Sequence, residues 1–137
     1  MPAGKIVADP VANADLAATF LDYAGTEPST AMHYQSLRPL LELNDASRDF
    51  AYGEWDLNPA HWGLDLKLRV IRTACYKLTL EANSGAGELY DLESDPSETR
   101  NLWDDPAASA MRKELTDMIA SRPNDALFEP LTPSGVH

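Results

Sequence analysis

Leu66-Lys-Leu-Arg-Val-Ile-Arg-Thr-Ala-Cys-Tyr-Lys-Leu-Thr-Leu-Glu-Ala82 is the stretch on which the fold turns. Leu66, Leu68 and Val70 alternate with Lys67 and Arg69, and Tyr76, Leu78, Leu80 and Ala82 alternate with Lys77, Thr79 and Glu81. A period of two marks half-buried strands, and the few residues around Thr73 and Cys75 leave room only for a hairpin between them. Outward in both directions the pattern repeats. Asn83-Ser84-Gly85-Ala86-Gly87 reads as a second turn, residues 88–92 as a third strand and residues 50–55 as a fourth. Strands joined by short connections pair as an antiparallel meander. Beyond them, Asp105-Pro106 is an N-cap followed by proline at the first helical position. Met111, Leu115, Met118 and Ile119 then form an apolar stripe that Pro123 ends. A helix of that length covers one face of a small sheet. The class is α+β: an antiparallel sheet of about four strands, packed by a C-terminal amphipathic helix and preceded by an N-terminal helical segment.

That N-terminal segment begins as an extended lead-in, because Pro2 and Pro10 both resist helix. Asp15 suits an N-cap, Leu16, Phe20, Leu21 and Ala24 fall on one helical face, and Gly25 is a C-terminal stop. A turn around Pro28 leads to a short helix over residues 36–43, with Ser36 as cap and Pro39 in its first turn. Residues 124–137, with Pro130 and Pro133, read as a surface tail without regular structure.

The chain has 137 residues, room for one modest core, and 44% hydrophobic residues, which sets it apart from disordered chains. Its 22 acids against 11 bases give a net charge of −11. That balance excludes nucleic-acid binding, which needs Lys and Arg against phosphate, and gives no field for capturing anionic esters. No apolar run is long enough to cross a bilayer, so no membrane partner is expected. The first ten residues show no apolar signal region; either the chain is cytoplasmic or a targeting segment lies upstream. One cysteine rules out an internal disulfide.

Residues able to carry chemistry are few and scattered. His33, His61 and His137 form no short ligand pair. Cys75 sits in a hairpin turn with no His or Asp placed to activate it, and reads as a bland thiol. Asp91, Glu93 and Asp95 run into a Pro turn, and Asp104 and Asp105 precede a helix; both are positions where acids serve structure. Gly85 and Gly87 lead into a strand and not a helix, so they do not form a phosphate loop. Trp55, His61 and Trp62 make the single loop cluster resembling a carbohydrate surface.

Several blocks, taken in order, resemble the end of the type I sulfatases of the alkaline phosphatase superfamily. Pro2-Ala-Gly-Lys-Ile-Val resembles the segment after the last active-site strand. Residues 10–25, PVANADLAATFLDYAG, are similar to the family's P-V-S-x-x-D-L-x-P-T-L-L-D-L-A-G. Residues 32–41, MHYQSLRPLL, resemble M-x-G-x-S-L-x-P-L-L, and residues 72–78, RTACYKL, resemble R-T-x-x-Y-K-L. Residues 87–102, GELYDLESDPSETRNL, resemble G-E-L-Y-D-L-x-x-D-P-x-E-x-x-N-L. Two departures stand out: Ala18 replaces a Pro, which a helix accepts readily, and Tyr34 replaces a Gly, which asks for a reshaped turn if that position has φ > 0.

The resemblance implies a division at residues 1–45, derived from the catalytic α/β domain, 46–123, the C-terminal subdomain, and 124–137, the tail. It also implies what the chain lacks. The family's nucleophile is a formylglycine made within a Cys/Ser-x-Pro/Ala-x-Arg motif, and its divalent cation, usually calcium, is held by an Asp pair and a later Asp-Asn or Asp-His pair, all of which precede this region. Cys75, followed by Tyr-Lys-Leu-Thr, does not fit that motif. The expectation is therefore a sulfatase C-terminal module with no catalytic, cofactor or metal residue of its own. Calcium belongs only to a complete enzyme, which in this family is often exported. The partners expected are a sulfatase catalytic domain or a second copy. The alternative is a stand-alone, non-catalytic interaction domain derived from a sulfatase.

Overall fold

A computed structural model describes residues 4, 6–27, 34–42, 48–57 and 63–122. Four strands, β1 (Phe50–Leu57), β2 (Leu66–Thr73), β3 (Tyr76–Glu81) and β4 (Gly87–Asp91), form one antiparallel sheet in the order β1-β2-β3-β4. The expected meander is therefore present, and β1 runs two residues further than the alternation suggested. Helices α1 (Asp15–Tyr23) and α2 (Arg38–Glu42) precede the sheet. Helix α3 (Ser109–Ala120) follows it, entered through a single 3-10 turn at Pro106–Ala108. The Asp105 carboxylate accepts the Ala107 N–H at 2.9 Å, which is the cap its position called for. The expected end at Pro123 and the tail lie outside the described residues.

The core lies between one sheet face and α3. Ile71, Leu78 and Leu89, opposite one another across β2, β3 and β4, are buried against Leu115 and Ile119, with Met111 and Met118 flanking them. The helical stripe is thus used as its spacing implies. Each such fully buried Leu or Ile contributes about 1.5–3 kcal/mol relative to exposure.

The face of β2 is where periodicity misled. Leu66, Leu68 and Val70 were expected to point inward and Arg69 outward. Instead Ile71 and Arg69 share the α3 face, while Leu66, Leu68 and Val70 are half-buried on the other. The hairpin explains this. Its connection is only Ala74-Cys75, which locks Arg72 opposite Lys77 and Ile71 opposite Leu78. Once Leu78 is inward Ile71 must be too, because a one-residue slip would turn every side chain over. Thr73 holds the turn, its hydroxyl oxygen accepting the N–H groups of Cys75 (3.3 Å) and Tyr76 (2.9 Å). Arg69 enters the interior by pairing with Asp56, whose carboxyl the guanidinium holds below its usual range. Glu54, 3.9 Å from Arg69, also pairs with Arg122 just beyond α3 at 2.8 Å. The end of the helix is thereby tied to β1.

The β3–β4 turn is organised by Glu81. Its carboxylate accepts the N–H groups of Lys67, Asn83 and Ser84 at 3.1, 3.2 and 2.6 Å, and Gly85 follows at φ +73°. The hydrogen bonds from Ser84 and then from the Lys67 amide depress the Glu81 pKa from 4.5 to about 2. A depressed carboxylate contributes stability that is full above its unfolded pKa and is lost as pH falls through the folded one. Glu81→Gln is accordingly expected to flatten the decline in melting temperature between pH 4.5 and about 2. An unchanged slope in thermal melts over that window would remove this role.

Candidate functional site

Two features of the N-terminal helices stand apart from the sheet core. The first is a polar node. Asp15, expected to be an N-cap, is the first helical residue, and Ala14 before it already has helical angles and no side-chain cap. The Asp15 carboxylate reaches backward to accept the Ala12 N–H at 2.7 Å, as the acid of a capping box does. It also accepts the Gln35 N–H at 3.3 Å and pairs with the guanidinium of Arg48. Asp15 is fully buried, so these partners replace its lost water. Thr19, one turn on, donates its hydroxyl to the Asp15 carbonyl and accepts the Leu37 N–H, each within 2.8 Å. Asp9 accepts the Arg48 N–H at 3.2 Å. Beside the node, Arg38 pairs with Asp22 and Glu42, and Ser36 donates to Asp22 at 2.6 Å. Ser36 also accepts the Arg38 N–H at 3.1 Å, as the cap expected of it would, and the regular helix within the expected span 36–43 begins at Arg38.

The second feature is the outward face of α1. The helix buries Asp15, Ala18 and Thr19, half-buries Leu21 and turns Leu16, Phe20 and Tyr23 away. Leu16, Phe20 and Tyr23 are 45%, 68% and 48% exposed, at i, i+4 and i+7. Val11 before them is also exposed. A stripe at that spacing is what a core-facing helix presents, yet here it meets solvent. Gly25, at φ +69°, ends the helix as the sequence suggested.

The remaining candidates take structural positions. Asp91 accepts the N–H groups of Glu93 and Ser94 and the Ser94 hydroxyl. Asp95 accepts the N–H groups of Thr99 (2.7 Å) and Arg100 (2.8 Å) and the Thr99 hydroxyl. These bonds lower both carboxyl pKa values. Within the loop that Asp95 caps, Glu98 takes a left-handed φ of +54°, the only non-glycine to do so among the described residues, and pairs with Lys77. Tyr34, where the family pattern has Gly, therefore sits in an ordinary backbone region. Asn101 accepts the N–H groups of Leu89 (3.0 Å) and Trp103 (2.9 Å). The Trp103 ring packs so near Gly87 that a Cβ there would lie 2.4 Å from it. The block at residues 87–102 is thus a strand, its edge cover and the loop joining them.

Cys75 is half-buried in the β2–β3 turn, and burial followed by nearby Glu93 raises its pKa, which disfavours the thiolate. Trp55 is exposed on the sheet face away from α3. His61 and Trp62, grouped with it from the sequence, lie outside the described residues, as do His33 and His137. Among the described residues no three His, Cys, Asp or Glu side chains come together as a metal set, and no helix is long and apolar enough to cross a membrane. The Asp15–Arg48 node was not foreseen. Nothing in the sequence linked two residues 33 positions apart, and the capping role assigned to Asp15 hid the need for a partner.

Comparison with known proteins places these features in context. A family model described as "N-sulphoglucosamine sulphohydrolase, C-terminal" matches residues 1–125. An N-acetylglucosamine-6-O-sulfatase of Bacteroides thetaiotaomicron is 32% identical over 118 residues, which cover 78% of this chain and 20% of that protein. A Delta 4,5-hexuronate-2-O-sulfatase of the same organism is 31% identical, covering 81% of this chain and 24% of that one. The phosphonate monoester hydrolase of Agrobacterium radiobacter superposes with a TM-score of 0.64 at 30% identity, over 78% of this chain and 23% of its own. The chain thus spans about a fifth to a quarter of the length of these relatives.

Proposed function

Because this chain belongs to the family of sulfatase C-terminal regions, matched over residues 1–125, we propose that it works as a non-catalytic module docked on a sulfatase catalytic domain. The observation that carries the reading is the outward stripe of Leu16, Phe20 and Tyr23 on α1. Burying such a face is favourable by about 25 cal/mol per Å², and roughly three-quarters to four-fifths of each relative's length lies outside the matched region and could cover it. The ester chemistry then resides in the larger part. This region would brace it and wall the substrate cleft, and the sulfated sugars named for two relatives indicate the substrate class of such an enzyme.

Two measurements on the chain by itself test the reading. Chromogenic sulfate esters are expected to show no turnover above background, and calcium is expected to leave the melting temperature unchanged. A robust rate abolished by EDTA would overturn it. The same stripe favours a second reading, a stand-alone domain that buries α1 against another copy. Sedimentation separates the two: a strict monomer across a wide concentration range argues against self-association.

A further inference from the structure

The Asp15 node gathers segments that lie far apart in the chain: the lead-in at Asp9 and Ala12, helix α1, the Gln35–Leu37 approach to α2, and Arg48 two residues before β1. It therefore crosses position 45/46, where sequence reading puts the border between a catalytic-domain segment and the sheet subdomain. The connection is polar because α1 turns Leu16, Phe20 and Tyr23 away, leaving Asp15, Ala18 and Thr19 on the inner side. A buried carboxylate without its cation is strongly unfavourable, so the pair tolerates little relative displacement of the two parts.

We propose that Asp15 and Arg48 form the joint that makes the N-terminal helical segment and the four-stranded sheet one cooperative unit, with Arg48 as its positioning residue. Whatever grips α1 then also sets the place of the sheet. The joint stands whether or not α1 docks on a catalytic domain; only its consequence for an enzyme rests on that reading.

Native-state hydrogen exchange on the whole chain tests the proposal. In the wild type, the slowest amides of residues 19–23 are expected to share the protection ceiling of residues 69–71 and 77–79, as members of one cooperative unit do. Arg48→Met, which keeps the stem and removes the charge, should lower the shared ceiling of the sheet and lower protection in α1 by about tenfold or more beyond that, because α1 then opens without the sheet. Arg48→Lys should restore most of the loss. Protection falling equally in both parts, or in neither, would overturn the joint. If Arg48→Met does not fold, Asp15→Asn is read the same way. The wild type also decides independently: α1 exchanging far faster than the sheet means two separate units and ends the proposal.

Discussion

Leu78→Ala is expected to cost about 3 kcal/mol or more. Leu78 is fully buried at the centre of the sheet, flanked across the strands by Ile71 and Leu89 and covered by Leu115 and Ile119 from α3. Removing its branched end takes away the transfer energy of three carbons. It also leaves a void that a sheet, held by its ladder on both sides, collapses into poorly. Domains of this size have about 5–15 kcal/mol in total. The melting temperature should therefore drop by about 10 °C, followed by circular dichroism. Leu78→Met, nearly equal in volume, should cost less than about 1.5 kcal/mol. Equal losses for the two variants would mean that packing at this point is not what holds the sheet to the helix.

Asn101→Ala is the second, and its cost has a different origin. The Asn101 carbonyl oxygen accepts from Leu89 on the outer edge of β4 and from Trp103, while the Leu102 N–H donates to the Leu89 carbonyl at 2.8 Å. The 101–102 segment thus completes the edge of β4 with one backbone bond and one side-chain mimic of another. Alanine would leave two N–H donors without their partner beside a buried leucine, at about 1–3 kcal/mol for each that water does not reach. A total near 2–4 kcal/mol is expected from urea melts. Asn101→Asp keeps the accepting oxygen and should recover more than half of it. Failure of Asp to recover any would show that the amide nitrogen, and not the carbonyl, is the group that matters.

Both residues belong to stretches whose role was legible in the sequence, though not in equal measure. Leu78 was assigned inward by strict alternation in residues 76–82, and it is inward. Asn101 was recognisable only as a member of the block at residues 87–102. What that block does became clear only with Gly87 under the Trp103 ring, Asp95 capping its loop and Glu98 held left-handed beside Lys77. Arg69 shows the opposite outcome. Alternation placed it outside, and hairpin register placed it inside, because register is a property of two strands and not of one.

The stripe on α1 shows the same limit from another side. Its spacing announced a helix with an apolar face, which is correct. Spacing could not say that this chain would bury the opposite side. That depended on Asp15 finding Arg48 and Thr19 finding Leu37, contacts across 33 and 18 residues.

By itself, then, the sequence determined the four strands, their meander, the covering helix and the membership in the sulfatase C-terminal family, because periodicity, turn chemistry and ordered motifs are local. Only the tertiary structure decided which face of β2 is core, which side of α1 is left open and where Asp15 finds its cation. Those depend on register and on long-range ion pairing, and a linear pattern does not encode which of two chemically acceptable faces is chosen.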